Sequence, residues 1–356
     1  MAFSKTEITL EITPHSRLDV INVTEQICQQ FGDILSQFPK AFYHSYHTTA
    51  GYFEQRFCAR LNHSRDSLQA FVQSFQKLFP PNANYHHDKL HLRKELSEEQ
   101  RREEPLNADS HLTFIGSGLR SCVTYHNCPK TPVYFIDLDG VCGGTKRRRQ
   151  TTVIGFTQEK LVDKTVVAIP LSRHPVDSVN LKDTRLGLFD QLQEFLDRYE
   201  IVNGRIDISL APNECHAGLT VNEYETLLMK HDLAEVLRNP VRFMAEKGRH
   251  MLRDPKAIPR KAKDYAKYDL VQVVNEVLDA LGLSESLLER IINKFQAVPA
   301  ARFLGVKRSL SLMVSQQGGE ERGSIVQGIH QSPILVQWKK AEAQTRQLKV
   351  AFVRFQ

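Results

Sequence analysis

The sequence contains one series of patterns twice, and this internal repeat limits the possible folds more than any other feature. The alternating segment at 8–20 has a counterpart at 166–178, and an amphipathic helix pattern follows each of them. The segment at 132–156 has a counterpart at 333–355, each predicted as an antiparallel strand pair around a polar turn. The shared order predicts a tandem duplication.

An Ala-Gly motif follows a predicted strand in each half. His47 precedes the first motif, in HTTAG, and Glu214 stands at the equivalent place in ECHAGLTVNE. Glu214 follows His47 by 167 residues, whereas Arg346 follows Arg149 by 197 residues. The second half therefore has a net insertion, predicted as a helical segment at about 233–305.

The fold class predicted from these patterns is α+β, with two tandem domains of sheet or β-sandwich type and flanking helices. A length of 356 residues suits two domains. We place the first at 1–157 and the second at 165–356, with the polar segment 157–164 as a linker.

Charge is concentrated in one segment. Residues 247–267 contain eight Lys or Arg and two Asp, so the charge of this segment is +6. The net charge of the whole chain is also +6. We therefore do not expect a nucleic-acid-binding surface that extends over the whole chain. The segment itself is either a solvated helix face or a site for an acidic partner. No window has the apolar run of a signal peptide or membrane span, so we expect a cytoplasmic protein without membrane contact.

Four motifs of the first half resemble the YjbQ-like family, also called the secondary thiamine-phosphate synthase family. In order, they are YHTTAGYFEQ, YHHD at 85–88, NADSHL at 107–112, and IDLDG followed by RRRQTTVIG. The second half keeps AGLTVNE at 217–223 but lacks counterparts of His87 and His111. The resemblance implies YjbQ-like domains, a trimeric assembly and an activity that joins a pyrimidine pyrophosphate to a thiazole phosphate.

His47, His87 and His111 are the candidate metal ligands. Three imidazoles with an open fourth position are typical of a catalytic divalent metal, zinc in particular. Their spacing alone does not bring them together, and it is the resemblance that implies their convergence. Asp88 follows His87 directly and is a candidate general base, or a carboxylate that orients a metal-binding histidine.

Thr48, Thr49 and Gly51 are candidate phosphate-binding residues. They stand where a helix N-terminus is predicted, and free amides there favour an anion; a simple Thr cap is the alternative. Arg147 follows two glycines at 143–144 that suit a hairpin turn. It could neutralise a phosphate or belong to a solvated strand edge.

Asn222 and Glu223 of the second half are predicted to complete the histidine site of the first half, with Glu223 in a catalytic role. Together these residues favour a metal-binding enzyme acting on a small phosphorylated molecule, in a trimer of two-domain chains. A metal-dependent phosphate-ester hydrolase would use the same residues. A non-catalytic ligand-binding or assembly module is the third possibility, because the second half has lost the histidines.

Overall fold

The computed structural model describes residues 5–128, 131–238, 243, 304–316 and 321–356. The chain forms two compact units, one comprising Met1–Leu68, Gly118–Tyr224 and Val306–Gln356, the other Gln69–Ser117 and Glu225–Gly305. The basic segment at 247–267 and nearly all of the predicted insertion lie outside the described residues. The fold mixes helices with several antiparallel sheets, as predicted.

The first half of the chain contributes nine strands to the first unit. They are β1 (Lys5–Ile12), β2 (Asp19–Asn22), β3 (Lys40–Ser45), β4 (Ala50–Gly51), β5 (Cys122–His126), β6 (Tyr134–Asp137), β7 (Val141–Cys142), β8 (Thr145–Lys146) and β9 (Arg149–Phe156). The larger sheet has the order β1-β9-β3-β5 and the smaller one β2-β6-β4. Ile8, Leu10 and Ile12 of β1 are buried and their polar neighbours face outward, as a period of two requires.

The described part of the second half contributes eight strands to the same unit. They are β10 (Glu159–Pro170), β11 (Asp177–Asn180), β12 (Gly204–Leu210), β13 (Ala217–Asn222), β14 (Ser309–Gln316), β15 (Gly323–Val326), β16 (Ser332–Gln337) and β17 (Thr345–Phe355). Their sheets have the orders β10-β17-β12-β14-β15 and β11-β16-β13. The order in the two main sheets is that of the first half with β15 added, and the β7-β8 hairpin has no counterpart among the described strands of the second half. The shared order is the arrangement that the repeat predicts.

Two local predictions are wrong. Segment 157–164 is not a linker, because β10 starts at Glu159 and pairs with β17 as an edge strand whose outward side tolerates polar residues. Segments 132–156 and 333–355 are not strand pairs, because β6 and β9 belong to different sheets, and so do β16 and β17. Gly143 and Gly144, with φ of 56° and 84°, instead form the predicted hairpin turn between β7 and β8.

The two larger sheets pack against each other within the first unit. The buried cluster between them combines Phe42, Cys122, Ile154 and Phe156 with Met313, Val326, Val353 and Phe355. Phe156 and Phe355 stack with ring centroids 4.1 Å apart and planes 6° apart. Apolar burial therefore holds the sheets of the two repeats together.

The α-helices among the described residues are α1 (Val23–Phe31), α2 (Gln55–Arg60), α3 (Arg65–Leu78), α4 (Glu98–Glu103), α5 (Ala108–Ser117), α6 (Leu188–Arg198) and α7 (Leu233–Arg238). The amphipathic patterns of the two halves correspond to α1 and α6. Asn22 caps α1 by accepting a hydrogen bond from the N–H of Glu25 at 3.2 Å. None of the described helices has the length and apolarity that crossing a membrane requires.

The second unit is mainly helical in its described part. Gly116 of α5 lies so close to the ring of Phe79 that a Cβ atom there would be 2.9 Å from it. The N–H of Gly305 donates to the carbonyl oxygen of Gly116 at 2.6 Å. Tyr85 is fully buried, and its hydroxyl donates to the carbonyl oxygen of Pro80 at 2.9 Å. This packing fixes the loop that leads from α3 to His87.

Candidate metal centre

A single carboxylate holds the backbone at His87. The N–H of His87 donates to Oδ2 of Asp232, and the N–H of His86 donates to Oδ1, both at 2.9 Å. Asp232 is fully buried and ends the π-helical turn Leu228–Asp232, a type of turn that is frequent at functional sites. Two successive amides of the loop are therefore fixed from one side chain.

A second carboxylate holds the His87 ring, which is fully buried. Nδ1 of His87 lies 2.9 Å from Oε2 of Glu225, which also accepts from the N–H of Leu228 at 2.8 Å, while Oε1 accepts from the N–H of Leu227 at 2.6 Å. Burial by itself raises the pKa of Glu225, but the hydrogen bonds from His87 and these amides outweigh it and lower the pKa. An ionised carboxylate only accepts, so in the neutral ring Nδ1 carries the proton and Nε2 has the lone pair.

His111 lies in the second turn of α5, a helix whose residues are all buried. Oδ1 of Asp88 accepts a hydrogen bond from the N–H of Ala108, the first residue of this helix, at 3.0 Å. A negative charge at a helix N-terminus is favourable. Asp88 thus supports the helix that carries His111, and its predicted role as a general base stays a prediction.

The structure brings His87 and His111 together. Their ring centroids are 5.2 Å apart with planes at 77°, and a nitrogen atom of each lies within 4.8 Å of the other. One zinc ion with bonds of 2.0 to 2.1 Å would bridge nitrogens up to about 4.2 Å apart. The two imidazoles therefore fit a shared ion after at most a small side-chain adjustment.

His47 lies in the first unit, where its ring accepts a hydrogen bond from the backbone. Its Nε2 accepts a hydrogen bond from the N–H of Gln150 at 2.7 Å, so only Nδ1 could reach a metal. Burial, together with the charges of Arg149 and Arg147, lowers the pKa of His47 to about 3 and keeps the ring neutral. Its place in one metal site with His87 and His111 stays a prediction.

The equivalent residue of the second repeat has the same role. Oε1 of Glu214 accepts from the N–H of Gln347 at 2.8 Å, and Gln347 follows Gln150 by the offset that relates Arg346 to Arg149. His47 and Glu214 therefore accept a hydrogen bond from the same position in the two repeats, the first amide after the arginine of the last strand.

The predicted helix N-terminus at Thr48–Gly51 does not exist. Ala50 and Gly51 form β4, which pairs with Asp137 and Ile136, and the next helix starts at Gln55. The prediction was wrong because a neighbouring strand takes up the backbone groups that a helix would have left free. The backbone groups of Ala50 and Gly51 therefore belong to a sheet and not to a helix N-terminus.

Two of the candidate phosphate-binding side chains, those of Thr49 and Arg147, have partners within the first unit. Thr49 accepts from Arg149 at 3.3 Å, and Arg149 donates to both oxygens of the buried Asp137 at 2.7 and 2.8 Å. Arg147 forms an ion pair with Asp139 at 3.2 Å. Carboxylates already compensate these arginines, and phosphate binding by Thr48, Thr49, Gly51 and Arg147 stays a prediction.

The Asn-Glu pair of the second repeat reaches the HTTAG motif within this unit. Asn222 is fully buried; its side-chain nitrogen donates to the carbonyl oxygen of Thr48 at 3.0 Å, and its Oδ1 accepts from the N–H of Glu223 at 2.9 Å. Asn222 therefore links the two Ala-Gly motifs. A role of Glu223 at the histidines stays a prediction.

Sequence reasoning missed three residues that hold these segments. Glu225 and Asp232 bind the His87 loop, and the side-chain nitrogen of Gln331 donates to the carbonyl oxygens of Ser45 and His47 at 2.7 and 3.0 Å. Gly328 lies against Tyr46 so closely that any Cβ would overlap its carbonyl oxygen. The only signal for Glu225 was its position two residues after Glu223.

Several solved structures are similar to this chain. A YbjQ-like protein of unknown function from Sulfolobus solfataricus P2 matches 55% of this chain and 99% of its own, with 15% identity and a TM-score of 0.30. A hypothetical protein from Aeropyrum pernix K1 matches 54% of this chain and 98% of its own, with 15% identity and a TM-score of 0.28.

A third structure is that of an uncharacterized conserved protein of the YjbQ family from Clostridium acetobutylicum. It matches 54% of this chain and 99% of its own, with 11% identity and a TM-score of 0.26. No protein-family model and no curated protein matches the chain. Likeness at this level carries no argument about ligands or activity, which therefore depend on the site itself.

Proposed function

We propose that this chain is a divalent-metal-dependent enzyme whose metal is held by His87 and His111. The convergence of two buried imidazoles supports the proposal most strongly. Each of the two imidazoles offers one ligand atom. Catalytic zinc sites combine histidines with one further protein donor and keep the fourth position open for water or substrate.

Zinc fits the chemistry of these donors better than magnesium or calcium, which prefer oxygen ligands. A bound divalent ion would supply a Lewis acid that neutralises charge on a phosphate oxygen. The chain's own contribution is the pair of buried imidazoles. Nε2 of His87 is the ligand atom, because its Nδ1 is bonded to Glu225.

We propose a small phosphorylated molecule as the substrate class, on the strength of the four motifs of the first half. A thiamine-phosphate synthase type transfer would release pyrophosphate, and a phosphate-ester hydrolase would release phosphate. Both reactions develop negative charge on a departing group, which a cation at His87 and His111 would stabilise. The transfer is our first candidate because the motif resemblance implies it.

The test is metal content and turnover of the full-length chain purified without chelator. We expect about one zinc ion per chain, lost in His87→Ala and His111→Ala and kept in His91→Ala, whose side chain is exposed. Wild-type protein that stays folded and binds no zinc after reconstitution would refute the metal site. Zinc without turnover on pyrimidine pyrophosphate plus thiazole phosphate, or on a panel of phosphate esters, would favour the non-catalytic module.

A further inference from the structure

We propose that residues 225–232 of the second repeat form a positioning element for the first repeat's His87, in which Glu225 sets the tautomer of the ring and Asp232 fixes its backbone. The inference rests on the proposed metal site and adds residues that do not touch the metal. It gives a role to the second repeat, which lacks counterparts of His87 and His111.

Glu225 is placed to select the metal-binding nitrogen. A neutral imidazole has one protonated nitrogen and one lone pair, and the partner of one nitrogen decides the state of the other. The 2.9 Å contact between Nδ1 and Oε2 places the proton on Nδ1 and the lone pair on Nε2. Metal-binding histidines commonly have such a carboxylate partner, which also raises the basicity of the ligand.

The Glu225 carboxylate is itself held rigidly. The N–H groups of Leu227 and Leu228 donate to it, so it caps the start of the segment while it accepts the hydrogen bond from Nδ1 of His87. Three donors converge on two oxygens, and the glutamate is 6% exposed. A glutamine would have to turn its NH₂ group toward one of these donors, so it could not satisfy all three.

Asp232 acts on the backbone at the other end of the segment. Each of its oxygens accepts one amide, from His86 and from His87, so the peptide between them cannot rotate without losing a bond. An asparagine would place a donor against one of the two amides. Because the segment binds ring and backbone together, it restricts both the place and the orientation of Nε2.

The experiment compares Glu225→Gln and Asp232→Asn with Glu235→Gln, a matched control from α7, in full-length protein. The first readout is zinc affinity by competition titration. We expect a loss of 10- to 100-fold for Glu225→Gln, the usual cost of removing a carboxylate partner from a ligand histidine, and no change for Glu235→Gln. Circular dichroism excludes variants that fail to fold.

The second readout is the His87 tautomer in zinc-free protein, from ¹⁵N-histidine NMR with the resonance assigned by its absence in His87→Ala. We expect the Nδ1–H form in wild type and a shift toward Nε2–H in Glu225→Gln, which a merely structural role would not produce. Unchanged zinc affinity together with an unchanged tautomer in Glu225→Gln would overturn the inference. If wild type binds no zinc, the proposed function fails, and the tautomer shift alone decides the positioning role.

Discussion

The Nδ1 atom of His87 lies 2.9 Å from the Oε2 atom of Glu225, although 138 residues of chain separate the two. A histidine of the first repeat is thus oriented by a carboxylate of the second. This contact explains how a repeat that lacks counterparts of His87 and His111 can be required for a site in the other repeat. It also links the fold to the proposed chemistry, because the protonated Nδ1 leaves Nε2 for a metal.

Zinc removal is expected to destabilise the protein through His87 and His111. A ligand at 100 times its Kd stabilises the folded state by about 2.7 kcal/mol, so a chelator should lower Tm measurably. The measurement is calorimetry of wild type and His87→Ala with and without chelator. We expect a shift only in wild type, and an equal shift in both would place the zinc elsewhere.

The charge arrangement around the last strand differs between the repeats and predicts a compensating pair of substitutions. Arg149 pairs with Asp137, whereas the equivalent Arg346 pairs with Glu214 and has Gln337 where Asp137 would be. Asp137→Gln alone should cost about 3–5 kcal/mol, because it leaves a buried arginine without its partner.

Adding His47→Glu to Asp137→Gln would recreate the arrangement of the second repeat. We expect the double variant to recover at least half of the lost free energy of unfolding, measured by urea denaturation. His47→Glu alone is the control. A double variant no more stable than Asp137→Gln would show that the two repeats do not balance this charge in the same way.

Stability is expected to fall in acid because of His44. This residue is fully buried, and burial lowers its pKa from 6.5 to about 3. Between these values the unfolded chain binds a proton that the folded chain does not, so stability is complete above pH 6.5 and falls below it. The loss should approach about 1.4 kcal/mol per pH unit, or about 2 kcal/mol at pH 5.

The check is the pH dependence of unfolding in wild type and His44→Asn, compared from pH 7 to pH 5. The variant should have a shallower slope by about one proton, whatever its absolute stability. His91→Asn, at an exposed position, should keep the wild-type slope. Parallel curves for wild type and His44→Asn would contradict the assignment.

The contact between the two larger sheets is expected to be a major source of stability. Phe355→Ala removes one ring of the stacked pair with Phe156 and should cost about 3–5 kcal/mol. Phe31→Ala, whose side chain is 45% exposed, is the control and should change the free energy of unfolding by less than about 1 kcal/mol. Equal effects would mean that the stacked pair adds little.

A trimer of two-domain chains remains our prediction for the assembly. Light scattering after size exclusion should give three times the chain mass of 40.8 kDa. The expectation comes from the motif resemblance and from the preference of oligomers for closed symmetry. A monomer mass would refute it and would mean that one chain contains the whole site.

The repeat was predictable because its signals are local. Alternation in β1 and β10, the amphipathic patterns of α1 and α6, and the glycines at 143–144 depend on neighbours within a few residues. The Thr48–Gly51 segment shows the limit of such signals, since threonine and glycine suit a helix start as well as a strand. The segment forms a strand because it pairs with β6, which is more than 80 residues away in the sequence.

The sequence by itself determined that two similar α+β repeats follow one another and that His87 and His111 are candidate ligands. Only the tertiary structure decided which side chains meet: Glu225 and Asp232 at His87, Asp88 at the start of the His111 helix, and Gln150 at His47. The physical reason is range. Periodicity acts over a few residues, whereas hydrogen bonds of buried polar groups are satisfied by whatever the packed chain brings within about 3 Å.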